Sequence, residues 1–90
     1  AKASETERDA DKDVAKVRSE SFSKEADARY DVAIAKADAD YKVAIERCDA
    51  LPSESRGSCK DAADASRDAT KSRAEQEREN AKASAESMKP

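Results

Sequence analysis

The chain has 90 residues, of which 43 % are charged, and its 18 basic and 21 acidic side chains give a net charge of −3. Few residues are therefore left to form a hydrophobic core. Eight of the 90 are strongly apolar, far below the roughly 20 % under which a chain is suspected of disorder, so the composition excludes a large enclosed cleft. The interspersed charge signs argue against a nucleic-acid partner, no apolar run reaches the roughly 18 residues of a membrane span, and the chain has no histidine to serve catalysis or metal binding.

The first predicted element is a long helix over about residues 4–50. Ser4 and Glu7 have the spacing of a capping box, which places its start near Ser4. The first twenty residues are poor in apolar side chains, and we expect them to fray. Leu51 precedes Pro52 and is pushed out of the α region, so the helix is predicted to end just before it.

A repeat of eleven residues organises this helix. Tyr, Val, Ala, Ile, Asp and Ala follow one another at the same intervals from Tyr30 and from Tyr41, and Ala26-Asp27-Ala28 is a fainter earlier copy. Eleven residues make almost three α-helical turns, so each position of the repeat returns to the same face. Strand alternation does not fit this pattern, and the Ala/Lys/Glu/Arg content favours helix.

The repeat places apolar side chains on two opposite faces. The face expected to pack against a second helix carries Phe22, Ala26, Tyr30, Ala33, Ile34, Ala37, Tyr41, Ala44, Ile45 and Cys48. The other face carries Ala10, Val14, Val17, Ala28, Val32, Ala39 and Val43. A second apolar face indicates a second contact, either with the chain's own N-terminal segment or with another copy, and its four valines are the candidate residues for self-association. The alternative is that these residues only fill a solvated helix surface.

The second predicted element is a helix over about residues 54–85, after a turn at residues 51–53. Pro52 and Ser53 suit a turn followed by a helix start, whereas Gly57 weakens that start and Ser58 offers a second cap. The inward stripe of this helix consists of small residues: Cys59, Ala62, Ala63, Ser66, Thr70, Ala74, Ala81 and Ala85. A bulky stripe that faces a small one lets two antiparallel helices approach closely.

The fold class is therefore predicted as all-α, with residues 1–90 forming one extended antiparallel helical hairpin. The residues expected to pack the hairpin are Phe22, Tyr30, Ile34, Tyr41, Ile45, Ala63, Thr70 and Ala74. Charged residues are expected to pair within each helix at i,i+4 or i,i+3, as in Asp38 with Lys42.

Cys48 and Cys59 are the only cysteines and lie eleven residues apart. On one continuous helix they would stand about 16 Å apart, whereas a disulfide requires Cα atoms within about 7 Å. A bond therefore requires the chain to reverse between them, which the break at Leu51-Pro52 allows. Such a bond would contribute roughly 3 kcal/mol on the chain-entropy model and would indicate an oxidising compartment. The alternative is two reduced thiols in a cytosolic helix pair.

Residues 39–51 read Ala-Asp-Tyr-Lys-Val-Ala-Ile-Glu-Arg-Cys-Asp-Ala-Leu, and Cys59 follows eight residues after Leu51 in a Lys/Ala-rich context. Over about residues 26–65 this resembles a repeated element of uncharacterised exported proteins of proteobacteria, of the cell-envelope or TolA-like kind. The resemblance implies a removed signal peptide, a periplasmic location and a Cys48–Cys59 bond, and it implies no activity. The chain departs from the pattern at Pro52-Ser53-Glu54, where a Gly-containing turn is commoner.

The sequence predicts a non-catalytic structural or interaction protein that is periplasmic or secreted and uses no cofactor or metal. The expected partners are a second copy of the chain or an unidentified envelope protein. An alternative is a stress protectant or interfacial helix, because the eleven-residue repeat resembles that of desiccation-associated late embryogenesis abundant proteins. Those proteins usually lack cysteine, which counts against it. Tyr30 and Tyr41 are the candidates for acid/base groups of an enzyme, but their repeat spacing indicates packing.

Overall fold

The computed structural model describes the backbone of residues 2–89 and the side chains of residues 11–89, and in this part of the chain the only regular elements are two helices. Helix α1 is Lys2–Asp49 and helix α2 is Ser53–Ser87. They pack antiparallel on either side of a turn at residues 50–52, and the longest dimension is 78 Å against 15 and 6 Å. The predicted all-α extended hairpin is confirmed.

The turn between the helices depends on Pro52. With φ −55° and ψ 148°, Pro52 is the N-cap of α2, and no side chain caps this end. Arg56 Nε donates a hydrogen bond of 2.8 Å to the carbonyl oxygen of Leu51, and the N–H of Ser55 donates one of 2.9 Å to that of Pro52. Because the helix already begins at Ser53, Gly57 lies inside its second turn and the alternative start at Ser58 is not used.

Helix α1 extends past the open end of α2, since α1 has 48 residues and α2 has 35. Among the described side chains of α1, Ser19 is the first that is hydrogen-bonded to α2, through Oγ to the carbonyl oxygen of Ala85 at 2.7 Å. Within residues 11–18 only Ala15 is half-buried, and the others are exposed. The segment predicted to fray is thus helical from Lys2 onwards and has no partner helix along residues 11–18; the side chains before residue 11 lie outside the described residues.

Small side chains line the interface at intervals of eleven residues. Among the described side chains of α1 the buried residues, seven and then eleven apart, are Ser19, Ala26, Ala37 and Cys48; in α2 they are Ala63, Ala74 and Ala85. A small residue at the centre of both helices lets the two backbones approach closely.

The bulkier residues predicted to pack the hairpin flank this central line. Half-buried at its edges are Phe22, Tyr30, Ile34, Tyr41, Ile45 and Thr70. The sequence predicts a bulky stripe against a small one, whereas small residues of both helices meet at the centre of the interface. Ala62 and Ser66, which the sequence placed on the inward stripe of α2, are exposed.

Candidate functional site

A disulfide bond joins Cys48 of α1 to Cys59 of α2 directly behind the turn, with the two Cα atoms 5.5 Å apart. Cys48 is 1 % exposed and stands eleven residues after Ala37, at the position that alanine holds in the preceding layers. The predicted bond is confirmed, so the reduced-thiol alternative does not describe this fold. The disulfide has the surroundings of a structural bond, because Cys48 is enclosed in the helix interface.

Over the part of the chain with described side chains, three ion pairs cross the interface at the same interval of eleven. Their Nζ to Oδ1 distances are 2.8, 2.8 and 3.0 Å, and the pairs are Asp27–Lys82, Asp38–Lys71 and Asp49–Lys60. Each is a surface pair worth about 0–1 kcal/mol, but their repetition along both helices specifies one antiparallel register. The sequence spacing predicts a pair of Asp38 with Lys42 of its own helix, whereas the Asp38 carboxylate contacts Lys71 of the other helix.

Arginines of α2 cover both tyrosines of α1. The guanidinium of Arg78 lies 3.9 Å from the ring centroid of Tyr30, and that of Arg67 lies 4.2 Å from the ring centroid of Tyr41. These distances are within the range of cation–π attraction. Tyr30 and Tyr41 are one repeat apart, as are Arg67 and Arg78, so the same contact is made twice.

The surroundings of Tyr41 also stabilise its neutral form. A hydrogen bond to the Asp64 carboxylate, followed by desolvation, raises the pKa of Tyr41 above its ordinary value of 10.0. A tyrosine that exchanges protons near neutral pH needs a lowered pKa, so the shift is in the wrong direction for acid/base work. The contacts of Tyr41 are those of a packing residue.

Beside each Tyr–Arg contact lies a shallow groove between the helices. The groove at Tyr30 and Arg78 has a volume of about 270 Å³ and its counterpart at Tyr41 and Arg67 about 90 Å³. Among the described residues no group of three His, Cys, Asp or Glu side chains is placed to hold a metal ion. Over those residues, neither helix has a stretch that is both long and apolar enough to cross a bilayer.

The second apolar face of α1 points away from α2. Its valines are exposed by 49, 60, 68 and 46 % for Val14, Val17, Val32 and Val43 respectively. Ala28 and Ala39, on the same face, are also exposed. We call these six residues the outer valine face. These six side chains lie where the sequence predicts them, whereas Ala10 of the predicted face lies outside the described side chains. The self-association suggested for the face stays a prediction.

The observed arrangement defines a disulfide-clasped antiparallel α-hairpin. Comparison of the chain with protein-family models, with curated proteins and with solved structures finds no match. Two features of the molecule itself bear on its function, the covalently closed interface and the outer valine face.

Proposed function

We propose that the chain is a non-catalytic structural protein, a stiff rod that holds one apolar face ready for another macromolecule. The observation that carries this proposal is the exposure of the outer valine face on the side of α1 opposite the closed interface. Isolated exposed valines are ordinary on a protein surface, but a line of them on one helix face is typical of an interaction surface.

The disulfide supports a location in an oxidising compartment, either periplasmic or secreted. Such bonds persist in exported proteins and are rare in the cytosol, where thiols are kept reduced. The resemblance of residues 26–65 to exported cell-envelope proteins of proteobacteria favours the periplasm. The partner proposed on this ground is another component of the cell envelope or a second copy of the chain.

The contacts of the charged and aromatic residues favour a structural role over an enzymatic one. Asp27, Asp38 and Asp49 each pair with a lysine of the other helix, and both tyrosines lie under arginines. These groups are occupied in joining the helices at three successive layers. Their regular spacing along the rod is what a structural repeat requires.

One observation favours the alternative of an interfacial or protectant helix. The outer valine face is apolar and borders on charged side chains, which is the arrangement of helices that lie on a lipid surface. The two proposals differ in what makes the chain helical. A clasped hairpin folds in water, whereas an interfacial protectant becomes helical on drying or on binding lipid.

The deciding experiment is far-UV circular dichroism in plain buffer, with and without reductant, together with the mass of the intact chain. Strong helicity without lipid and a mass gain of about 2 Da on reduction support the clasped rod. Helicity that appears only on drying or with vesicles of phosphatidylcholine and phosphatidylglycerol contradicts it and favours the alternative. The chain with Cys48→Ala and Cys59→Ala is the matched control, because it cannot respond to reductant.

A further inference from the structure

We propose that the outer valine face pairs with the same face of a second copy of the chain, with the two α1 helices parallel and in register. This inference rests on the proposed function and names its partner. Three features of α1 support it: the positions of its apolar residues, the size of the neighbouring residues and the order of the charges along the two edges of the face.

The apolar residues form two adjacent lines along α1. Val32 and Val43 are eleven residues apart and share one line, while Val17, Ala28 and Ala39 share the next. Alanines beside valines let two backbones come close, and the same use of alanine is seen where Ala26 and Ala37 are buried against α2. The outer valine face thus follows the design of the interface that α1 already makes.

The placement of the valines favours one direction of pairing. In a parallel pair in register, Val17, Val32 and Val43 each meet their own copy, and Val14, eleven residues before Glu25, lies at the edge of the face. An antiparallel pair that sets Val32 against the partner's Val43 places Val17 beyond the end of the partner's α1, and one that sets Val17 against the partner's Val43 places Val32 against an alanine. Either antiparallel arrangement therefore gives fewer valine–valine contacts than the parallel pair.

The charges at the edges of the face favour the same direction. One edge carries Glu25, Lys36 and Arg47, and the other carries Lys24, Ala35 and Glu46, all of them exposed. Parallel helices bring opposite edges together, so Glu25 meets the partner's Lys24 and Arg47 meets the partner's Glu46. Antiparallel helices bring like edges together, which sets Glu25 against the partner's Arg47 and Lys24 against the partner's Glu46. The same arrangement also sets Lys36 against the partner's Lys36, a contact of like charges that the parallel pair avoids.

Sedimentation equilibrium over a wide range of concentrations tests the pairing. We expect the native chain to form a dimer, and the double variant Val32→Lys, Val43→Lys to raise the dissociation constant more than about tenfold, because two lysines per chain would be brought into the contact. Both positions are exposed in the hairpin, so its circular dichroism should not change. The matched control is Ala69→Lys on the exposed side of α2, which should dimerise as the native chain does.

An exchange of charges tests the direction. Glu25→Lys should weaken the dimer, because the new lysine faces the partner's Lys24. Adding Lys24→Glu should restore it in a parallel pair. In the antiparallel pair the same double variant faces like charges, since residue 25 then meets the partner's Arg47 and residue 24 the partner's Glu46. Failure of the double variant to restore dimerisation therefore overturns the parallel arrangement.

A native chain that stays monomeric at the highest concentration overturns the whole inference. If that monomer is helical in plain buffer and clasped by its disulfide, the proposed structural role stands and only the second copy is wrong. Loss of vesicle binding in the Val32→Lys, Val43→Lys variant, without any dimer of the native chain, assigns the face to lipid instead. A chain that is not helical in buffer contradicts the proposed function as well.

Discussion

Ala74 shows how little space the hairpin leaves at its centre. Its side chain is a single methyl group, 6 % exposed, at a point where α1 also presents small residues. We expect Ala74→Leu to destabilise the hairpin by about 1–3 kcal/mol, because the added carbons must push the helices apart. Urea unfolding followed by circular dichroism measures this loss. Ala69→Leu, on the exposed side of the same helix, is the control, and an equal effect of the two changes would contradict a closely packed centre.

Asp38 links the stability of the hairpin to acid. A hydrogen bond from Lys71 is the largest cause that holds the pKa of this carboxyl below its ordinary value of 3.8. The native state therefore binds the proton less tightly than the unfolded chain does. The contact of Asp38 with Lys71 contributes fully to stability above about pH 4, and this contribution is lost as the pH falls through the native pKa of Asp38.

Thermal unfolding between pH 2 and 7 checks this linkage. We expect the native chain to lose stability below about pH 4, and Asp38→Asn to be less stable at neutral pH and to lose less on acidification. Asp61→Asn, which alters an exposed carboxylate of α2 outside the three interhelical pairs, should keep the acid dependence of the native chain. Identical acid profiles for Asp38→Asn and the native chain would show that the Lys71 contact does not stabilise the fold.

At the scale of the helices, the disulfide limits how far α1 and α2 separate when the chain unfolds. Alanine stands at Ala26 and Ala37, the positions equivalent to Cys48, and at Ala81, a position equivalent to Cys59. The double change Cys48→Ala, Cys59→Ala therefore removes the bond while the repeat stays intact. We expect a loss of roughly 3 kcal/mol, from the entropy of the open loop. Urea titration of the variant measures it, and the native chain in reductant should behave alike. An unchanged midpoint would mean that the turn alone holds the helices together.

Much of each helix was predictable because its signals are local. The interval between Tyr30 and Tyr41 indicates the helix and its faces, and Leu51-Pro52 indicates the reversal that lets Cys48 reach Cys59. The contacts between the helices were less predictable. A lysine three or four residues from an aspartate suggests a pair within the helix, and only the packed hairpin shows that Lys71 is nearer to Asp38.

A signal for the interhelical pairs was nevertheless present. Aspartates at 27, 38 and 49 and lysines at 60, 71 and 82 both recur every eleven residues. Two helices with the same period, antiparallel and joined by a short turn, bring each aspartate to one lysine. The central position of the alanines was harder to predict, because hydrophobicity favours the bulkier Ile34 and Ile45 for the middle of the interface.

At the scale of the whole molecule, the hairpin consists of equivalent layers. The most complete layer has one Tyr–Arg contact, one Asp–Lys ion pair and one level at which alanines of both helices are buried. Deleting residues 31–41 together with 67–77 removes one layer from both helices and keeps the others in register. We expect a folded, clasped hairpin about 16 Å shorter than the native one, measured by small-angle X-ray scattering. Deleting 31–41 alone should destabilise the hairpin, because Lys82 then meets Lys16 instead of Asp27. Equal stability of the two deletions would show that the contacts of α2 beyond Lys71 do not stabilise the hairpin.

The constant interval in both helices has a consequence for how such a chain changes its length. Insertion of one unit into a single helix moves each level on its open side by one repeat and leaves that helix one unit longer without a partner at the open end. Insertion of one unit into each helix at the same level adds a layer and keeps every existing pair. Lengths compatible with this architecture therefore form a discrete series with steps of about 16 Å. Duplication of one eleven-residue unit in both helices therefore increases the distance between the turn and the open end of the hairpin. The disulfide and the turn stay unchanged.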